Sequence, residues 1–481
     1  MKSGAEYREE LKKFEPVIYF RGERITDILG HPVLQPVINA AVATYDLALD
    51  PANAGRMLTT SLLTGEKCNL LGALWSTKED LIKTVKLRRW WQNTTGTCNA
   101  GRCAGACAAN AIFNGTYLID QENNTEYHAR FKEFFTRVQK EDQTCAAGVM
   151  CVKGDRGKGP TQQKDPDLYL RVVEKNSRGI VVRGAKAHLS NGALAHEILV
   201  MPWRALKENE KDYAVSFAVP NGTKGLIHVW QYNLHDSRRL LGDDPGSQRF
   251  GLEYHGTCLT IFNDVFVPWE RVFLCGEHQY TGVFVEKFAD LVRLCGGGCR
   301  PGAVDLAIGA MALLAEYNGV GNAPHLLEKL TALAQMGEVG YGCALAAAHE
   351  GEMAASGLCF PNGLFANAAR LNGTLAFMEA HKWLGDVAGG LIATCPAEKD
   401  FTHPEIGPLL QKYLQGAPDV ITEHRLRALR FAEMLGGGPP LHGLICGGGT
   451  TETQKLVIRK NLNLEEKKRL VKKLAGIPEG R

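Results

Sequence analysis

The order of sequence patterns predicts an α+β chain in three parts. These are an N-terminal helical domain (1–145), a middle antiparallel β domain (146–280) and a C-terminal helical bundle (281–481). Two observations carry that expectation. In the outer parts apolar residues recur at three- and four-residue spacing, the period of a helix with one buried face. In the middle part, short β-branched and aromatic runs alternate with Gly, Asn, Asp and Pro, as strands alternate with turns. Composition agrees: of 481 residues 45% are hydrophobic and 22% charged, enough to bury a large core and too apolar for disorder.

The elements follow in order. TDILGHPVLQPVINAAVATYDLALD (26–50) and TEYHARFKEFFTRVQKEDQ (125–143) have helical periodicity. From 146 onward the chain reads as strands: the stretch 158–190, then EILVMPW (197–203), DYAVSFAVP (212–220), GLIHVWQY (225–232) and CLTIFNDVFVPWERVFL (258–274). AVDLAIGAMALLAEYNGV (303–320) and LEKLTALAQMGEVGYGCALAAAHEGEMAA (327–355) are long, Ala- and Leu-rich helices. NLEEKKRLVKKLAG (463–476) is a short charged one. There is no internal repeat and no low-complexity linker.

Charge and cysteine usage narrow the function. Lys+Arg 55 against Asp+Glu 52 leaves +3, which is no footprint for nucleic acid or a membrane surface. No uninterrupted apolar run reaches the ~18 residues of a bilayer span. The charged start MKSGAEYREELKKFEP lacks a signal-peptide core, so a cytoplasmic protein is expected. A reducing compartment disfavours disulfides among the 14 cysteines, most of which should be small buried hydrophobes. Two groups are crowded, Cys98/Cys103/Cys107 and Cys295/Cys299, and crowding of that kind is where metal chemistry is sought.

Several stretches in one order resemble the 4-hydroxybutyryl-CoA dehydratase/vinylacetyl-CoA isomerase family of the 4-hydroxyphenylacetate 3-hydroxylase superfamily. They are KGDRG (153–157), QKDPDLYLRVVEK (163–175), GIVVRGAKAH (179–188), DYAVSFAVP (212–220), FNDVFVPWERVFLC (262–275), EYNG (316–319) and DVAGGL (386–391). The resemblance implies an acyl-CoA dehydrogenase-like fold, a homotetramer whose subunits complete each other's flavin sites, FAD between the β domain and the C-terminal bundle, and a [4Fe-4S] cluster near it. It places Lys153, Asp155 and Arg156 on one flavin loop, and His188, Leu189, Ser190 and Asn191 on a second flavin-lining segment. Asn318, Gly319, Ala388, Gly389 and Gly390 fall where the family holds ribose and diphosphate. Glycines there permit close backbone approach.

For the cluster, the resemblance implies two N-terminal cysteines and a histidine and a cysteine near 290–300. Arg102-Cys103 matches the second N-terminal ligand; its partner is Cys98, at one residue more than the family spacing, or Cys107. A Cys98 ligand needs non-helical backbone, which Gly96 and Gly101 allow. Cys299 falls on the last ligand. The family histidine falls on Val292, and Cys295, about one helical turn away, is the inferred substitute. The expected set is Cys98, Cys103, Cys295 and Cys299, with Cys107 in reserve.

The family's acid–base groups are replaced. Its tyrosine falls on Gly296, one glutamate on Thr257 and another near Gly443. Glu253, His255 and His442 are the substitutes that the same loops offer, and Arg89 is a candidate anion binder or a surface ion pair. The loop 436–449 is read as lying near a neighbouring subunit's flavin. The expected function is therefore a flavin- and iron–sulfur-dependent lyase or isomerase acting on a CoA thioester other than 4-hydroxybutyryl-CoA. A two-component phenol monooxygenase without a cluster, and a redox or structural flavoprotein without catalysis, are the alternatives.

Overall fold

A computed structural model describes residues 1–232, 240–241, 256–437 and 442–478, with the side chains of His442 and Cys446 excepted. The N-terminal part holds helices α1 (Gly4–Leu11), α2 (Gln35–Leu49), α3 (Ala54–Met57), α4 (Lys78–Thr95), α5 (Arg102–Glu122) and α6 (Tyr127–Lys140). Thr77 begins α4 with a capping box closed by Asp80. Gly96, at φ +68°, ends it.

The N-terminal part is not purely helical. Strands β1 (Val17–Phe20) and β2 (Glu23–Ile25) form a hairpin and add to the middle sheet through β1, parallel to β10 (Leu226–Trp230). Its turn, Arg21-Gly22, has φ of +52° and +85°, the two left-handed residues of a tight hairpin connection. Strands β3 (Leu58–Thr60) and β4 (Lys67–Asn69) form a separate pair.

The middle region packs two sheets. One runs β2-β1-β10-β11-β7-β6, with β6 Arg171–Asn176, β7 Gly179–Ser190 and β11 Thr257–Pro268. The other runs β12-β9-β8-β5, with β5 Cys145–Gly148, β8 Glu197–Val200, β9 Val215–Pro220 and β12 Val272–Cys275. Pairing is mostly antiparallel, as expected, but β5 joins β8 in parallel because it enters the sheet from α6. Phe217 meets Phe262 edge-on between the sheets, and Phe131 and Phe134 of α6 close over Phe273.

The C-terminal bundle is built on α7 (Thr281–Tyr317), α8 (Pro324–His349) and α9 (Gly363–Ala388). By length and composition His278–Tyr317 is apolar enough to cross a membrane, yet 61% of its most apolar window is buried inside the protein. It is the axis of the core. Glycines set how closely other helices approach it. A Cβ on Gly298 would lie 2.3 Å from the Val85 carbonyl oxygen and 2.7 Å from Arg88 Cβ. A Cβ on Gly302 would lie 2.6 Å from Gln92 Cβ, and one on Gly297 2.4 Å from Ala344 Cβ. The run Gly296–Gly298 thus brings α4, α8 and α9 against one short stretch of α7.

This packing predicts opposite signs for two similar substitutions. Gly298→Ala drives a methyl into α4 backbone and should cost about 1–3 kcal/mol. Gly342→Ala, mid-helix in α8 with nothing within 4 Å of the added carbon, should add about 0.5–1 kcal/mol. Denaturant unfolding of both variants checks the pair.

Candidate functional site

Two regions each gather several of the residues singled out in the sequence. The first is a cleft of about 460 Å³ over the six-stranded sheet, lined by Lys153, Arg156, His188, Trp230, Thr257 and Cys258 among others. A second opening of about 660 Å³ shares Lys153 and Arg156 and adds Lys158, Arg204 and Lys207. Both volumes suit a small-molecule site. Backbone strain concentrates here: Lys153, His188 and Asn191 have φ of +81°, +60° and +57°. Such conformations cost about 1–3 kcal/mol each and cluster where a side chain must be aimed. His188 stands in a β-bulge, because Cys258 pairs with Leu189 while Thr260 pairs with Lys186. Partial burial holds both the His188 imidazole and the Lys153 ammonium below their ordinary values, and each is disfavoured further by a neighbouring cation.

Other expected flavin residues have different places. Asp155 is exposed and accepts from the Gly157 N–H while pairing with Lys158. Leu189 is fully buried in the core. Ser190 packs on the loop before α5, where a Cβ on Gly101 would lie 2.7 Å from its own Cβ. Asn191 is 2% exposed. Its side-chain oxygen has no hydrogen-bond partner among the described residues, and neither has the indole N–H of Trp230. Asn318, Gly319, Ala388, Gly389 and Gly390 sit at the C-terminal ends of α7 and α9, and none lines the 460 Å³ cleft. Asn318 accepts from Arg425 Nε at 2.9 Å. The unmet Trp230 indole N–H and the two cations Lys153 and Arg156 lining a cleft of this size fit an anionic, ring-bearing cofactor such as FAD.

The second region is the meeting of α4, α5 and α7, where five thiols converge. Gly96, Ala100 and Gly101 all have positive φ, so Cys98 lies on the non-helical loop that its spacing demanded. The Cys98 thiol lies within electrostatic reach of Cys103 and Cys299. Cys107 Sγ stands 3.8 Å from Cys295 Sγ. Two guanidiniums enter the same space. Arg300 Nη1 approaches Cys299 Sγ at 3.5 Å. Arg88 faces Cys103, Cys107 and Cys295. The Cys98 thiol, then the charges of Arg88 and Arg300, hold the Cys103 thiol below its ordinary value against burial. The Cys107 contact, with Arg88, pulls Cys295 down as well.

Among the described residues no three His, Cys, Asp or Glu side chains converge on a point that a single metal ion would occupy. A cubane cluster distributes its four thiolates over separate irons. The side chains that perturb these thiols are one another and two guanidiniums, a donor set that fits a thiolate-ligated cluster in kind.

The positions where family acid–base groups were expected are filled differently. A Cβ on Gly296 would lie 2.5 Å from Arg300 Nη1 and 2.9 Å from Arg370 Cδ. Val292 Cγ1 lies against Gly448. Arg300 donates to the carbonyls of Gly443, Leu444 and Gly447, and Arg370 to those of Ile445 and Gly447. The two arginines therefore pin the described part of the 436–449 loop to its own chain. Thr257 donates to Gln231 at the cleft wall. Glu253 and His255 lie outside the described residues, as do the side chains of His442 and Cys446. Arg89 is a surface ion pair, forked onto Asp305 and also bound to Glu338.

Two family models together match nearly the whole chain. The 4-hydroxyphenylacetate 3-hydroxylase N-terminal family matches residues 3–274, and the corresponding C-terminal family matches 281–476. The 4-hydroxybutyryl-CoA dehydratase/vinylacetyl-CoA-Δ-isomerase of Clostridium aminobutyricum is 39% identical over 98% of this chain and 99% of its own. The 4-hydroxyphenylacetate 3-monooxygenase oxygenase component of Thermus thermophilus is 28% identical over 86% of this chain and 84% of its own. Among solved structures, an oxygen-tolerant archaeal 4-hydroxybutyryl-CoA dehydratase from N. maritimus superposes with TM-score 0.94 at 35% identity, covering 100% of this chain and 96% of that one. A 4-hydroxyphenylacetate 3-monooxygenase oxygenase component complexed with FAD, at 24% identity and TM-score 0.85 over 98% of each chain, shares the fold.

The thiol pocket predicts selective reactivity in protein prepared without iron. A thiol held below its ordinary value reaches the thiolate form at lower pH than a free cysteine and loses it as pH falls further. Cys145, pushed up by burial, stays protonated. Iodoacetamide labelling mapped by mass spectrometry should modify Cys103 at a lower pH than Cys145. Cys103 labelling that needs a pH as high as Cys145 needs would contradict this.

Proposed function

The chain belongs to the 4-hydroxyphenylacetate 3-hydroxylase family and its 4-hydroxybutyryl-CoA dehydratase/vinylacetyl-CoA isomerase branch, and from that premise we propose a flavin- and iron–sulfur-dependent hydro-lyase or isomerase. Its substrate is a CoA thioester or similarly activated acid other than 4-hydroxybutyryl-CoA. The single observation that carries the reading is the convergence of Cys98, Cys103, Cys107, Cys295 and Cys299 on two buried guanidiniums, beside the loop that packs on Ser190. A two-component monooxygenase has no use for such a pocket.

In this reading Lys153 and Arg156 hold the anionic parts of the cofactor, and Lys158, Arg204 and Lys207 offer further positive charge for phosphates. His188 and Trp230 form the walls of the ring site. Cys98, Cys103, Cys295 and Cys299 hold the cluster, with Cys107 within thiol contact of Cys295. The bound flavin supplies reversible acceptance of hydrogen or an electron, and the cluster supplies an electron relay or a structural anchor. Full cysteine ligation leaves no exchangeable ligand for a substrate oxygen. With arginines occupying the space beside Gly296 and Gly443, proton transfer falls to groups entering from the Thr257 side. Glu253 and His255, four and two residues before Thr257 in sequence, are the proposed acid–base pair, with His442 a third candidate. The protein is proposed to be a cytoplasmic homotetramer that uses neither nucleic acid nor membrane.

Protein purified without oxygen should contain about four iron, four acid-labile sulfide and one FAD per chain. It should act on a member of a CoA thioester panel while leaving 4-hydroxybutyryl-CoA unreacted. FAD without iron would overturn the reading in favour of the monooxygenase class. The paired substitution Lys153→Met/Arg156→Met should weaken FAD retention about tenfold or more, roughly 1.4 kcal/mol, by equilibrium dialysis.

A further inference from the structure

Arg88 is 2% exposed, on the face of α4 that packs against Gly298, one residue before Cys299 and three after Cys295. Its Nε, Nη1 and Nη2 are all buried, and among the described residues no oxygen or nitrogen acceptor meets any of them. No carboxylate is paired with it there either. The groups that face it are the sulfurs of Cys103, Cys107 and Cys295. One turn on, Gln92 is 1% exposed, packs on Gly302 and has an equally unmet side-chain N–H₂. A guanidinium does not lose its proton in a protein, and an uncompensated one is among the costliest groups to bury. A close-packed core that holds this charge therefore holds an anion opposite it. The only candidates among the groups that face it are the sulfurs.

We infer that Arg88 is a positioning and charge-compensating residue for a thiolate-ligated iron–sulfur cluster, holding that cluster at a higher reduction potential than its ligands alone would give. The inference rests on the cluster reading above. Four thiolates around a [4Fe-4S]²⁺ core carry a net charge of about −2, and one-electron reduction adds another negative charge. Replacing a neutral histidine ligand with Cys295 makes the assembly one charge more negative than a three-cysteine cluster. Arg88 and Arg300 supply two buried positive charges to offset it. A nearby cation favours the more negative, reduced state, so its removal lowers the potential. Arg300 is committed to three loop carbonyls, whereas Arg88 has no other described partner, so Arg88 is the residue whose role the cluster defines.

The test uses anaerobically purified full-length protein and its Arg88→Met and Arg88→Lys variants, with EPR-monitored potentiometric titration. Arg88→Met should lower the reduced-to-oxidised ratio at fixed potential about tenfold or more, which is 59 mV for one electron. Arg88→Lys should keep most of the wild-type ratio. A merely structural role predicts something else: loss of stability in both loaded and cluster-free protein. Here the cluster-free Arg88→Met variant should melt no lower than cluster-free wild type, because an uncompensated charge has been removed. An unmoved midpoint in Arg88→Met, or a cluster-free variant destabilised as much as the loaded one, overturns the inference while the cluster reading stands. A wild-type protein without iron overturns both.

Discussion

Close approach to α7 is the constraint on which the rest of the structure depends. Three consecutive glycines and Gly302 let α4, α8 and α9 come within backbone contact of a helix that any larger side chain would hold away. Pro301 lies in the same stretch and removes one helical hydrogen bond from it. Cys295 and Cys299 bracket this run, so the stretch that must be thin is also the stretch that presents thiols. Because α5 packs on the same helix, its Cys103 and Cys107 meet them. The pocket is thus a consequence of packing: restoring bulk at Gly298 would separate the helices and the sulfurs together.

The proposed function takes the acid–base set of the dehydratase pattern as not carried over, and the packing around Gly296 and Gly443 supports that reading. The space goes to Arg300 and Arg370, which donate to carbonyls of a loop whose backbone would otherwise lie buried and unsatisfied. In the proposed reading, a site that exchanges two proton-transfer groups for two fixed cations gains negative-charge tolerance and loses local proton chemistry. The proposed function follows that exchange, keeping cofactors and activated-acid substrate class while moving the acid–base work to the Thr257 side.

Much of this was legible in the sequence. Alternating strand runs and long Ala-rich helices gave the helix–sheet–helix order, and Gly96 and Gly101 signalled the loop at Cys98. The β1–β2 hairpin was missed although its signal was present, a short VIYF run followed by Arg-Gly, because two short strands within a helical stretch carry little period. Arg88 was also missed, since an arginine beside Arg89 and Trp90 reads as solvated until a partner helix is seen to cover it. Conversely, Arg89, read as an anion binder or a surface pair, is spent on Asp305 and Glu338. Neither outcome is a property of the local sequence; both depend on which face of α4 meets α7. Asn318 and Ala388–Gly390 were grouped with the flavin by family pattern, and within one chain they lie at helix ends apart from the cleft.

The central claim is that this pocket binds iron through sulfur alone. Iron K-edge X-ray absorption of anaerobically purified protein tests it most directly. The account predicts a first shell of sulfur only, with iron–iron scattering beyond it and no imidazole contribution. A nitrogen scatterer in the first shell would contradict the substitution of Cys295 for the family histidine, and protein without iron would contradict the pocket's assignment altogether.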